Sequence, residues 1–111
     1  MTDARIVLTT LDDMENAKRL ARELVEQRLA ACVNLVERVH SLYRWKDKVE
    51  SADEILLIVK TSAERIPALR AAMERLHPYE LPEFLILEAS GGSEPYLAWL
   101  LEASGENAKL P

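Results

Sequence analysis

The chain is poor in the residues that most often announce a specialised chemistry: one cysteine, three glycines and 5% aromatics among 111 residues. A lone cysteine excludes an internal disulfide framework, and no CxxC or paired Cys/His spacing suggests structural zinc, so the cytosol is the expected compartment. Gly91-Gly92-Ser93 offers backbone amides at a helix start but lacks the GxxxxGK[ST] form of a phosphate loop. Positive charge is also scarce. Fourteen basic residues face nineteen acidic ones for a formal charge of −5, with no Lys/Arg cluster to neutralise successive phosphates, and nucleic acid is therefore not an expected partner. No apolar run approaches the ~20 residues of a membrane span, and Met-Thr-Asp-Ala-Arg leads straight into a β-branched segment, so neither a signal peptide nor a membrane partner is expected. There is no Ser-His-Asp order, metalloprotease motif, heptad repeat or low-complexity tract. What remains is one domain's length, residues 1–111, of which ~65% of the unfolded surface becomes buried on folding.

Within it, Arg5 to Leu11 is dense in β-branched and apolar residues and predicts a strand buried on both faces. Asp12 and Glu15 have the spacing of a capping box, and Met14, Ala17, Ala21 and Leu24, widened by Leu20 and Val25, then recur at helical spacing as far as Gln27 or Arg28. From Ala31 the period changes to two. Ala31, Val33, Leu35, Val39, Tyr43 and Trp45 fall on one face of a long strand, with Cys32, Asn34, Arg38, His40 and Arg44 on the other. Lys46-Asp47 reads as the turn of a hairpin that returns through Val49 to Thr61. At ~3.3 Å per residue an arm of about fifteen residues reaches ~50 Å, against a radius of gyration of ~13 Å for a compact chain of this length. Thr61 or Ser62 is the expected cap of a second helix with Ile66, Leu69, Met73 and Leu76 on its core face, ended by His77-Pro78. A fourth strand is expected from Glu83 to Ser90, and a last, almost wholly apolar helix from Tyr96 to Ala103, with a frayed tail from Ser104.

The order βαββαβ with an added C-terminal helix predicts an α+β, ferredoxin-like sandwich: one antiparallel sheet with both main helices on one face. The other face is then bare. A bare apolar face, an overlong hairpin and an all-apolar last helix each require a cover, and identical subunits are the commonest source, so a closed homo-oligomer is expected.

Candidate chemistry is thin. Cys32 reads as an unactivated buried thiol, with a soft metal such as Cu(I) as its one functional alternative. His77-Pro78-Tyr79-Glu80-Leu81-Pro82-Glu83 is the densest polar constellation: its histidine and carboxylates could ligate a divalent ion or transfer protons, or could simply cap a helix and shape a turn. His40, beside Arg38, reads as solvated or as a subunit contact. Tyr43, Trp45, Tyr96 and Trp99 read as interface anchors rather than a ligand-stacking set.

Leu29-Ala30-Ala31-Cys32-Val33-Asn34, Ser41-Leu42-Tyr43-Arg44-Trp45, Glu54 to Thr61, His77 to Glu83 and Tyr96-Leu97-Ala98-Trp99, in this order from about Ile6 to Leu101, together resemble the CutA divalent-cation-tolerance family. The resemblance implies a ferredoxin-like homotrimer akin to PII signalling proteins, with the hairpin extending a sheet across to a neighbour. It further implies a non-enzymatic role in tolerance to copper and other divalent metals. The family's cysteine corresponds to Cys32 and its His-Pro-Tyr motif to His77, Pro78 and Tyr79. On this basis Cu or another divalent ion would be held weakly by His77, Glu80, Glu83 and Cys32, with no organic cofactor. Tyr43, Trp45, Lys60, Tyr79, Tyr96 and Trp99 would line interfaces or clefts. Thr9 and Leu76 stand where some bacterial members carry a further cysteine and a further histidine, and Asp47 stands where Trp-x-Gly is usual at the hairpin tip. A PII-like alternative places a small anionic metabolite or a partner protein in an inter-subunit cleft, against Lys60, Arg38 and Tyr43.

Overall fold

The computed structural model describes residues 2–105. Its elements are β1 (Ala4–Leu11), α1 (Met14–Glu26), β2 (Cys32–Trp45), β3 (Lys48–Ser62), a 3₁₀ turn (Ala63–Arg65), α2 (Ile66–Leu76), β4 (Leu85–Glu88) and α3 (Glu94–Ala103). The four strands form one sheet in the order β2-β3-β1-β4, every neighbouring pair antiparallel. Val7, Leu11, Leu57 and Val59 from one side of this sheet meet Ala17, Leu20 and Leu24 of α1 and Leu69, Ala72 and Met73 of α2 in a single core. The helical spacing of α1 thus does what it predicts except at Val25, which is exposed at the helix end.

The opposite side of the sheet carries Ile6, Leu8, Leu56 and Ile58, half-buried, with Val36, Leu85 and Leu87 exposed. They lie outside the core that α1 and α2 close, and α3 packs against β3 and β1. The hairpin gives the molecule its long dimension of 50 Å, against 27 and 23 Å across. Its tip is a two-residue turn with both Lys46 (φ 53°) and Asp47 (φ 67°) left-handed, the geometry that suits the twist of the flanking strands.

Several expectations need correction. The strict alternation along β2 breaks at a bulge, where Glu37 and Arg38 together oppose Ile55, and Arg38 takes a left-handed φ of 65°. One extra residue reverses the parity. Val39, Tyr43 and Trp45 therefore pair with Glu54, Glu50 and Lys48 on the face shared with Cys32 and Val36, not with Val33 and Leu35. The capping box does not form: Asp13 is still extended, so it occupies the cap position, without a side-chain bond, and Asp12 falls outside the helix. Thr61 and Ser62 end β3 rather than capping α2, and the buried Thr61 hydroxyl donates to the Leu29 carbonyl at 2.8 Å. Leu76 is exposed. β4 is shorter than predicted because its partner residues are only Arg5 to Leu8. Ser104 is not frayed: it is buried, and its hydroxyl donates to the Leu100 carbonyl, while Arg28 donates to the carbonyls of Glu102 and Gly105. The rest of the predicted tail, 106–111, lies outside the described residues.

Candidate functional site

Pro78 determines how the His77 segment begins. A proline drives the preceding residue out of the helical region, and His77 accordingly is extended (φ −76°, ψ 134°), its amide donating the last helical bond to Met73. The imidazole is turned inward and only 7% exposed. Nε2 lies 2.9 Å from the Thr10 carbonyl of β1, and the Tyr79 amide donates to Nδ1 at 3.1 Å. Burial holds the histidine's pKa below its ordinary value, against the opposing pull of the Thr10 bond and of Asp12 and Glu54. The ring is therefore neutral at pH 7.

Tyr79 continues the chain of contacts. Its ring meets His77 edge-on at 4.8 Å between centroids, and its hydroxyl donates to Oε2 of Glu54 at 2.7 Å. Glu54 is 8% exposed and sits one residue beyond Ile55, the last residue of β3 paired with β1. Burial, then the Glu54 carboxylate, push the Tyr79 phenol far above the ordinary tyrosine range. Glu83, half-buried, is raised from its ordinary value by burial first and by Glu54 second. Beside Glu54 a cleft of about 560 Å³ opens at the base of the hairpin, lined by Asp12, Glu37, Asp53 and Glu54 with Arg38, Met14 and Ile55.

The residues expected from sequence are only partly brought together. Glu80 is exposed and Glu83 half-buried on the loop that His77 opens. Cys32 is elsewhere, and half-buried rather than buried: it faces Lys60 across the β2–β3 pair, with Asn34 Oδ1 3.9 Å from its sulfur, whereas His77 is tied to Thr10, opposite Leu56. Four strand residues, or ~13 Å, separate those levels. Among the described residues no three His, Cys, Asp or Glu side chains are gathered closely enough to hold an ion, and the residues present do not build a metal centre within one subunit. Lys60 and Tyr43 lie near opposite ends of the β2–β3 pair, ~33 Å apart along the strands, so they do not share a cleft in one chain. Tyr43 and Trp45 are exposed on the hairpin, and Tyr96 and Trp99, 5.4 Å apart, are exposed on α3. His40 pairs with Asp53 at 2.8 Å across the hairpin.

Sequence reasoning missed Glu54 and the Thr10 carbonyl. A glutamate in the arm of a long strand looks solvated, and only the pairing of β3 with β1 brings it beneath Tyr79.

A family model described as CutA1 divalent ion tolerance protein matches residues 5–103. The Divalent-cation tolerance protein CutA of Thermus thermophilus is 44% identical over 100 residues, covering 90% of this chain and 97% of that protein. A solved structure of the Thermus thermophilus protein superimposes with a TM-score of 0.89 over 92% of this chain and 99% of that one, at 43% identity. CutA1 from Oryza sativa gives 0.89 over 94% and 95%, at 38% identity. Protein CutA of Mus musculus is 45% identical over 84 residues, 76% of this chain, which spans about half the length of that relative. A relative in Arabidopsis thaliana is described as chloroplastic and a solved one from Archaeoglobus fulgidus as periplasmic. No helix among the described residues is long and apolar enough to cross a membrane.

Proposed function

The chain belongs to the CutA1 divalent ion tolerance family, and on that premise we propose that it serves divalent-cation tolerance, copper included, as a non-enzymatic homotrimer in the cytoplasm. Cations are its cargo, met weakly by oxygen ligands such as Glu80 and Glu83 and by the Cys32 thiol, at surfaces that subunits complete for one another. The observation that carries the cation reading is the charge of the cleft at the hairpin base, where four carboxylates surround one arginine. A small anionic metabolite, the ligand of the PII-like alternative, would meet those carboxylates, and Lys60 is too far along the sheet to offset them. The exposed Val36, Leu85 and Leu87 on one side of the sheet and the 50 Å hairpin support the trimer, and the strand order β2-β3-β1-β4 supports the ferredoxin-like sandwich.

Native mass spectrometry with and without Cu(II) tests both parts together. The expected result is three times the 12.6 kDa subunit mass, with copper adducts that a competing chelator removes. A monomer would overturn the assembly, and copper retained stoichiometrically against the chelator would overturn weak binding.

A further inference from the structure

We infer that His77 in this chain is a positioning residue rather than a metal ligand: a neutral imidazole whose two nitrogens pin the His77–Phe84 loop and thereby deliver the Tyr79 hydroxyl to Glu54. This goes beyond the cation-tolerance reading and holds whatever the subunit number.

The partners of the ring decide its tautomer. A carbonyl oxygen only accepts, so the nitrogen 2.9 Å from the Thr10 oxygen, Nε2, carries the proton. A backbone amide only donates, so the nitrogen 3.1 Å from the Tyr79 amide, Nδ1, supplies its lone pair to that bond. An imidazole that ligates a metal also donates its N–H to a carbonyl, but it keeps the other nitrogen's lone pair for the ion. Here that second lone pair is already engaged from within the loop, and the Tyr79 ring stands edge-on 4.8 Å away.

A metal at Nδ1 would have to break the Tyr79 amide bond. Because the same residue holds Glu54 through its hydroxyl at 2.7 Å, that break would also loosen the contact to β3. Nor would the ion find company. Leu76, the preceding residue, has no donor atom on its side chain, and among the described residues no second and third ligand are gathered beside His77. The burial of the ring, at 7% exposed, is that of a structural group. The three anchored points, Thr10 on β1, Tyr79 within the loop and Glu54 on β3, lie on three separate segments, so one imidazole and one phenol join the end of α2 to two strands.

The test uses the full chain labelled with ¹⁵N and Zn(II) as a diamagnetic probe. Imidazole ¹⁵N–¹H correlation spectra at pH 7 are expected to show His77 as the Nε2-protonated tautomer, with both ring nitrogens unmoved by excess Zn(II). A shift or loss of either His77 nitrogen signal in proportion to zinc would overturn the inference. Variants give a second readout. His77→Gln keeps a donor toward Thr10, His77→Asn keeps an acceptor toward Tyr79, and His77→Ala keeps neither. The Tyr79 amide ¹⁵N–¹H signal is expected to move in His77→Ala and His77→Gln, which remove its acceptor, and to stay nearest its place in His77→Asn. Three variants with the Tyr79 amide signal unmoved and an equal loss of zinc affinity would instead identify a ligand. Should His77→Ala fail to fold, the zinc titration of the unsubstituted chain decides alone.

Discussion

Thr9 and His77 show how little of a side chain's duty follows from its type. Thr9 sits in mid-β1 on the helix-covered side, fully buried, and its hydroxyl has no hydrogen-bond partner. An unsatisfied buried hydroxyl is destabilising by roughly 1–3 kcal/mol, whereas an isosteric apolar group at the same place is not. Thr9→Val is therefore expected to raise stability by about 1 kcal/mol, read as a higher urea midpoint with an unchanged slope at fixed protein concentration. An unchanged or lower midpoint would mean that the hydroxyl is satisfied after all. His77 is the reverse case, a buried polar residue with both ring nitrogens in use. The motif from His77 to Glu83 was legible as the densest polar stretch of the chain. That its histidine faces inward, and its tyrosine finds Glu54, depends on contacts 67 and 25 residues apart in sequence, which no local pattern encodes.

The hairpin is the element whose sequence and geometry disagree most instructively. Its turn was legible, since Asp47 tolerates a left-handed backbone, but Lys46 shares that conformation without the same tolerance. Asp47→Gly removes the steric cost at φ 67° and adds back part of it as unfolded-state entropy. The net expectation is a gain of about 0.5 kcal/mol, while Asp47→Val, β-branched at a left-handed position, is expected to lose more than about 1 kcal/mol. Thermal denaturation of the two variants checks the pair; a loss with glycine would show that the aspartate side chain itself holds the turn. The bulge at Glu37 and Arg38 was not legible. Bulges with a left-handed residue commonly announce themselves by glycine, and here an arginine occupies φ 65°. Its effect is large because strand parity is all-or-none: Tyr43 and Trp45 change faces relative to Val33 and Leu35.

At the scale of the whole molecule the open face of the sheet dominates. Leu85 and Leu87 of the edge strand β4 are exposed on it, as are Val36 and Tyr43 of β2. A charge placed on this face must be desolvated if a second subunit covers it. Leu87→Glu, which faces the same side as Ile6, is therefore expected to convert the proposed trimer to monomer in sedimentation velocity at micromolar protein; an undisturbed assembly would place the contact elsewhere. The helices, the strands, their order, the overlong hairpin and the need for a cover were all determined by the sequence itself, because apolar periodicity, turn residues and proline act through neighbours in the chain. Only the tertiary structure decided the register across the β2 bulge, the inward turn of His77, the union of Tyr79 with Glu54 and the separation of Cys32 from both. Each of these depends on which strands lie side by side, and pairing between distant segments is set by the packing of the whole sheet against its helices rather than by any residue's immediate sequence.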